Sequence, residues 1–262
     1  MSTLFRERMS RIMTKEIKVA LCRSGFYQFL ASGFLYPEQE LFALVRDGAV
    51  VKELRSCARG LIPGGKADLL EAIGNLESSF ESLTLENLQA EHRRIFGHTI
   101  SKTSSPFETE YGGSTIFRQT HDLGDIAGFY RAFGLEVSDD IKERLDHIST
   151  ELEFMHFLTY KEAYAREHHG KKKSEDCLEA QRKFLKMHLG RWAPLFFERL
   201  ASKEESGFYK KIALVAENFL ASEARFLNVK PKKVRQLQSA PFDPEETCAL
   251  CDDMGQLDLP GE

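Results

Sequence analysis

The stretch "RLDHISTELEFMHFL", Arg144–Leu158, decides the fold class. Leu145, Ile148, Leu152 and Met155 recur at i, i+3, i+7 and i+10, the spacing of one helix face turned to a core. Phe154, Phe157 and Leu158 cover another side, so the later turns are expected to be buried all round. The stretch nevertheless opens on Asp146 and His147, which want water or a partner. Two local explanations exist. His147 can pair with Glu151 one turn later, and Asp146 suits the positive end of a helix. Upstream, "SDDIKE" offers acidic caps, with Asp140 and Glu143 spaced as a capping box, so the helix is expected to span about 139–168.

The rest of the chain repeats this helical character. Leu outnumbers Val and Ile together by 31 to 19, which favours helix over strand. No proline falls between Phe107 and Ala193, whereas half of the eight fall after Lys230. Proline costs about 3 kcal/mol inside a helix, so its absence permits long helices and its clustering marks a tail. Helices are expected near 15–35, 38–59, 66–82, 84–97, 115–133, 139–168, 174–201 and 205–228, and no alternating strand pattern of useful length appears. Two stretches read as non-helical. "GHTISKTSSPFETEYGGS", Gly97–Ser114, is a long loop of the kind that often carries function. The tail from Val229 ends in a segment rich in Pro and acid, expected to be flexible or to dock in extended form. The expected architecture is an all-α, single-domain bundle of about eight to ten helices over 1–230, followed by a flexible tail over 231–262.

A chain of 262 residues, 42% hydrophobic, can bury a full core without disulfides or metal. A net charge of −4 and a pI of 6.1 supply no bulk positive field for generic nucleic-acid binding. "GKKK", Gly170–Lys173, reads as a solvated turn. The five cysteines, 22, 57, 177, 248 and 251, are odd in number and mostly far apart, unlike a secreted disulfide framework. The charged N-terminus lacks an apolar signal region, and no run of 18 apolar residues predicts a membrane span. These features fit a soluble protein of a reducing compartment.

Few motifs carry chemistry. "CALC", Cys248–Cys251, has the spacing of a zinc, iron–sulfur or dithiol pair, but no second ligand pair accompanies it. A metal-binding or redox protein using Cys248 and Cys251 is the alternative reading. "EFMH", Glu153–His156, matches one Glu-x-x-His of a di-iron bundle, which needs two such motifs and two further Glu. His156 therefore reads as a core-edge histidine. No phosphate-binding, nucleophile-elbow or dinucleotide motif stands in a strand–turn–helix setting. Nothing here predicts an enzyme.

Several stretches together do match a known pattern. "ERLDHISTELEFM", Glu143–Met155, resembles the E-x-x-D-H-x-x-x-E-L-x-F-M region of the TorD/DmsD/NarJ-type redox enzyme maturation chaperones. "RRIFG" followed by "SPFETEY" resembles that family's helix end and its Pro-aromatic-Glu-Ser-x-Tyr loop. "DLGDIAGFYRAFGLE" and "HLGRWAPLFFERL" resemble two further helices, in order, within about Gly25–Leu227. The resemblance implies an all-α cytoplasmic chaperone, itself without a cofactor. Such a chaperone binds the N-terminal leader, often twin-arginine, of a molybdenum enzyme's catalytic subunit and holds the apoprotein back from export until its cofactor is inserted. It also implies a leader-binding surface of Asp146, His147, Glu143, Pro106, Phe107, Glu108 and Tyr111, on a monomer or homodimer with no stable membrane insertion. Two positions depart from the pattern: Arg144 stands where Pro is frequent, and Thr109 where Ser is usual.

The chemistry suits that role. A leader's arginines need carboxylates in planar, charge-assisted contact, for which Glu143, Asp146, Glu108 and Glu110 are candidates. Its apolar stretch needs an aromatic-lined groove, for which Phe107, Tyr111 and Phe96 are candidates. A His147 that titrated near neutrality would make binding pH-dependent. Asp146→Ala with His147→Ala is expected to weaken leader binding with melting nearly unchanged.

Overall fold

The computed structural model describes residues 14–46, 48–61, 66–97, 104–111, 116–135, 144–203 and 207–235. They form ten α-helices: α1 Lys15–Gly33, α2 Gln39–Arg46, α3 Gly48–Leu61, α4 Lys66–Glu77, α5 Leu85–Phe96, α6 Ile116–Ala132, α7 Ile148–His168, α8 Gly170–Met187, α9 Leu189–Ala201 and α10 Phe208–Phe226. A short 3₁₀ turn, Glu108–Glu110, lies between α5 and α6. No strand occurs among the described residues, and the one isolated β-bridge pairs Phe107 with His147. The chain is an all-α single domain.

α7 is the axis of the molecule. It packs most extensively on α1 and then on α8, while α10 pairs with α9 and covers α4. Ile148, Leu152 and Met155 are fully buried, as the spacing predicts, and so is Leu158, whereas Leu145 of the expected stripe lies in the turn before the helix and is only partly buried. Each such side chain contributes roughly 1.5–3 kcal/mol by leaving water. Aromatic rings fill the space between the layers. Phe26 of α1 stacks on Phe219 of α10 with ring centres 4.7 Å apart, and Phe34 on Phe197 of α9 at 5.7 Å.

The core also holds a polar knot. Arg23 of α1 is 2% exposed. Its Nε and Nη2 donate to Glu223 of α10, Nη1 to Glu162 of α7, and Nη2 also to Gln181 of α8, over 2.6–3.0 Å. A buried guanidinium is tolerable only when paired and fully hydrogen-bonded, and here one side chain ties four helices together.

The structure corrects several expectations. α7 begins at Ile148, not near 139, because residues 145–146 turn and His147 is extended (φ −73°, ψ 141°). Asp140 and Glu143 lie outside the described residues. The expected 174–201 helix is two, broken at His188 (φ −121°, ψ −100°), and the expected 38–59 stretch is helical over Gln39–Arg46 and Gly48–Leu61. α7 is not buried all round: Glu153, Tyr160, Lys161 and Tyr164 line a solvent stripe, with Tyr160 55% exposed. α7 and α8 meet at Gly170, whose φ of +79° only glycine adopts freely. His169 ends α7 there, its N–H on the Ala165 carbonyl.

Cys22 of α1 and Cys57 of α3 form a disulfide, although the cysteine pattern gives no disulfide framework. The pairing arises because α1 packs on α3, bringing together residues 35 positions apart. The start of the tail docks. Val229 and Val234 pack against the core, and the Val234 N–H donates to the Arg191 carbonyl at 2.9 Å. Pro231 lies over Gly190, where any side chain would collide with its ring and with the Leu185 carbonyl.

Candidate functional site

The site forms where the 104–111 segment meets the start of α7. Two backbone hydrogen bonds join them: Glu108 N–H to Asp146 C=O at 2.9 Å and Ile148 N–H to Pro106 C=O at 2.8 Å. The second satisfies a donor that every helix N-terminus leaves orphaned. His147 satisfies the next. It is the N-cap of α7, and its Nδ1 accepts from the Ser149 N–H at 3.2 Å, with the Ser149 hydroxyl 2.6 Å away. With Nδ1 accepting, the ring is neutral and carries its proton on Nε2. Burial, with His92 and Arg144 nearby, pushes the His147 imidazole down to about 4, away from neutral titration. His147 therefore acts as cap and packing surface, its ring meeting Phe107 edge-on at 5.3 Å.

Asp146 is 0% exposed. Its Oδ2 accepts from the Thr109 N–H at 3.2 Å and the Thr109 hydroxyl at 2.8 Å. Arg144 closes over it, Nε to Oδ1 at 3.0 Å and Nη2 to Oδ2 at 2.9 Å, while Nη2 also donates to the Thr109 hydroxyl at 2.9 Å. The guanidinium carbon lies 4.4 Å from the centre of the Phe107 ring. The two positions where the sequence departs from the chaperone pattern thus touch each other.

A second polar cluster lies beneath. Glu108 is buried, and its Oε2 lies 3.1 Å from His188 Nδ1. His188 Nε2 lies 3.2 Å from Asp125 Oδ2 of α6, so the ring bridges two carboxylates. The Glu151 carboxyl is pushed well above the usual range by burial and by the Glu108 charge. Trp192 of α9 donates its indole N–H to both Glu151 oxygens, at 3.2 and 3.1 Å. Tyr111 is buried against Trp192 and donates its hydroxyl to the Ser105 carbonyl at 2.7 Å.

The structure therefore brings Pro106, Phe107, Glu108, Tyr111, Asp146 and His147 into one assembly. Pro106, Glu108, Tyr111, Asp146 and His147 are buried, Phe107 is half-buried, and Arg144 is the exposed member. Glu143 lies outside the described residues, as do Cys248 and Cys251. Phe96 packs among His92, Phe196 and Tyr209. His156 bonds Ser24, its Nδ1 lying 2.8 Å from Oγ, and among the described residues no group of three or more His, Cys, Asp or Glu could hold a metal ion. Sequence reasoning missed Glu151, His188 and Asp125 as parts of this assembly. His188 and Trp192 stand in the "HLGRW" motif, whereas Asp125 gives no local signal.

Residues 63–198, just over half of the chain, match the family model described as nitrate reductase delta subunit. The chain is 31% identical over 217 residues to a perchlorate reductase assembly chaperone protein of Dechloromonas aromatica (strain RCB), covering 79% of this chain and 91% of that one. It is 25% identical to the chaperone protein TorD of Vibrio parahaemolyticus serotype O3:K6 (strain RIMD 2210633), covering 67% of this chain and 81% of that one. It is 29% identical to a chlorate reductase assembly chaperone protein of Ideonella dechloratans, covering 60% and 79%. The chain belongs to the TorD-type family of redox enzyme maturation chaperones.

Proposed function

We propose that this chain is a cytoplasmic assembly chaperone, not an enzyme. It binds the N-terminal leader and the apo form of a molybdenum oxidoreductase catalytic subunit, supports cofactor insertion and delays export until maturation. Its relatives' names supply the class of client: perchlorate and chlorate reductases each have an assembly chaperone similar to this chain. No helix among the described residues is long and apolar enough to cross a membrane, in keeping with a chaperone that meets its client before export.

The observation that carries the reading is the seat at the mouth of α7. There a half-buried aromatic ring, Phe107, adjoins a buried carboxylate, Asp146, on backbone pinned by cross-segment hydrogen bonds. A leader presents arginine beside an apolar stretch, and these are the two surfaces it needs. In this reading Phe107 meets the apolar stretch and Asp146 receives an arginine. Pro106, Glu108, Tyr111 and His147 hold the seat from behind. Titrating the purified chain with leader peptides from molybdenum oxidoreductase catalytic subunits tests it. Saturable binding that Phe107→Ala weakens is expected, and absence of binding to any such leader rejects the reading.

A further inference from the structure

We infer that Asp146, Thr109 and the face of Phe107 form a guanidinium-recognition site, which the chain's own Arg144 fills until an incoming arginine replaces it. The inference rests on the leader-binding reading for the source of that arginine, but not for the site's chemistry.

Three contacts define the site. The carboxylate takes the side of the guanidinium in a two-bond fork, Nε to Oδ1 and Nη2 to Oδ2. The Thr109 hydroxyl, donating its own proton to Asp146, accepts a further bond from Nη2. The Phe107 ring lies under the cation. A planar, delocalised cation with a rigid fork satisfies all three at once, whereas an ammonium cannot make the fork.

The occupant is placed to leave and the site to remain. The Arg144 side chain is 48% exposed over a carboxylate that is 0% exposed, so a ligand reaching Asp146 from solvent arrives where Arg144 lies. The Arg144 backbone stays anchored, its carbonyl accepting from His147 N–H and from the Thr150 hydroxyl, both at 3.1 Å. Exchange therefore needs only a swing of the side chain. Asp146 is held independently of Arg144 by the Thr109 amide and hydroxyl and, through its carbonyl, by the Glu108 N–H. A vacated site would leave a buried charge uncompensated, so the favoured exchange is one guanidinium for another. While Arg144 occupies the site, affinity for an outside arginine is reduced by the fraction of molecules that are open.

The test uses full-length Arg144→Ala. Millimolar ethylguanidinium should raise its melting temperature, and ethylammonium at equal concentration should not. Wild type should respond to neither, and Arg144→Ala with Asp146→Asn should lose the rescue. A leader peptide bearing arginine should bind Arg144→Ala about tenfold more tightly than wild type, once its competitor is gone. Rescue without peptide binding to either protein upholds the site and overturns the leader reading. Equal peptide affinity in both proteins, with no rescue, overturns the site and leaves the leader reading standing. If Arg144→Ala does not fold, Arg144→Lys carries the test. It keeps the charge without the fork and must bind the arginine peptide more tightly than wild type, and equal or weaker binding overturns the proposal.

Discussion

Trp192 donates one indole N–H to both oxygens of Glu151, whose carboxyl shares a buried site with that of Glu108. Two carboxylates cannot both ionise there cheaply, so Glu151 keeps its proton well above the usual carboxylate range. The folded state then holds a proton that the unfolded chain releases above about pH 4.5, and this contribution falls as pH rises through that window. Glu151→Gln keeps a neutral group that can still accept from Trp192. It is expected to cost under about 1 kcal/mol near pH 5 and to gain on wild type as pH is raised. Urea unfolding of both proteins at several pH values measures the gap, and a gap that does not move with pH would show that Glu151 is ionised in the fold.

Arg23 should be the most fragile polar residue of the core. Arg23→Leu leaves the buried carboxylates of Glu223 and Glu162 without their cation and is expected to cost about 3–5 kcal/mol. Arg23→Lys should not rescue it, because an ammonium cannot meet Glu223, Glu162 and Gln181 in one plane. Thermal melts followed by circular dichroism decide the matter. A loss below about 1 kcal/mol would mean that the helices relax around the vacancy.

Helix content and the α7 core stripe were legible because both repeat with local period: Ile148, Leu152 and Met155 lie where the spacing puts them. The start of α7 was not. Asp140 and Glu143 look like caps in sequence, yet His147 is the cap because a segment 42 residues upstream supplies the Pro106 carbonyl for Ile148. Non-local pairing of that kind leaves no periodic signal. Asp146 and Glu108 were recognisable as a site only through resemblance, and their burial could not be read, since a carboxylate appears identical in sequence whether it faces water or Arg144. The Arg23 knot went unseen for the same reason, its partners lying 139 to 200 positions away.

Burial also reverses one mutational expectation. Asp146→Ala with His147→Ala was expected to leave melting nearly unchanged, but it removes four hydrogen bonds to Asp146 and the N-cap of α7. A cap alone is worth about 1 kcal/mol, and the freed Arg144 and Thr109 groups add to it. The double variant should lose about 2–4 kcal/mol, read by urea unfolding. A double variant as stable as wild type would restore the simpler view of these residues as a pure recognition pair.

The Cys22–Cys57 bridge closes a 35-residue separation between α1 and α3. In the chain-entropy account such a loop is worth about 2–4 kcal/mol. Reduction, or Cys22→Ser with Cys57→Ser, should lower stability by that order and should leave the seat at the mouth of α7 intact, because neither cysteine touches it. Alkylation with mass spectrometry, before and after reduction, reports whether the bond is present. Thiols that alkylate fully without reductant would show the pair to be open.

His147 sets the acid limit. Its imidazole is pushed down to about 4 from 6.5, chiefly by burial, so its contribution is fully present above about pH 6.5 and is lost as pH falls towards 4. At 1.36 kcal/mol for each pH unit, the loss approaches about 3 kcal/mol. His92, also pushed down to about 4 by burial, acts in the same direction, while Glu151 acts in the opposite one. The comparison must therefore be between wild type and His147→Asn, in which those terms cancel. Asn caps helices well and can accept from the Ser149 N–H without titrating, so the variant should lose some packing against Phe107 at every pH but should overtake wild type on acidification. Denaturant midpoints from about pH 7 down to about pH 4 measure it. Parallel pH profiles for the two proteins would mean that His147 binds its proton in the fold as readily as in the unfolded chain.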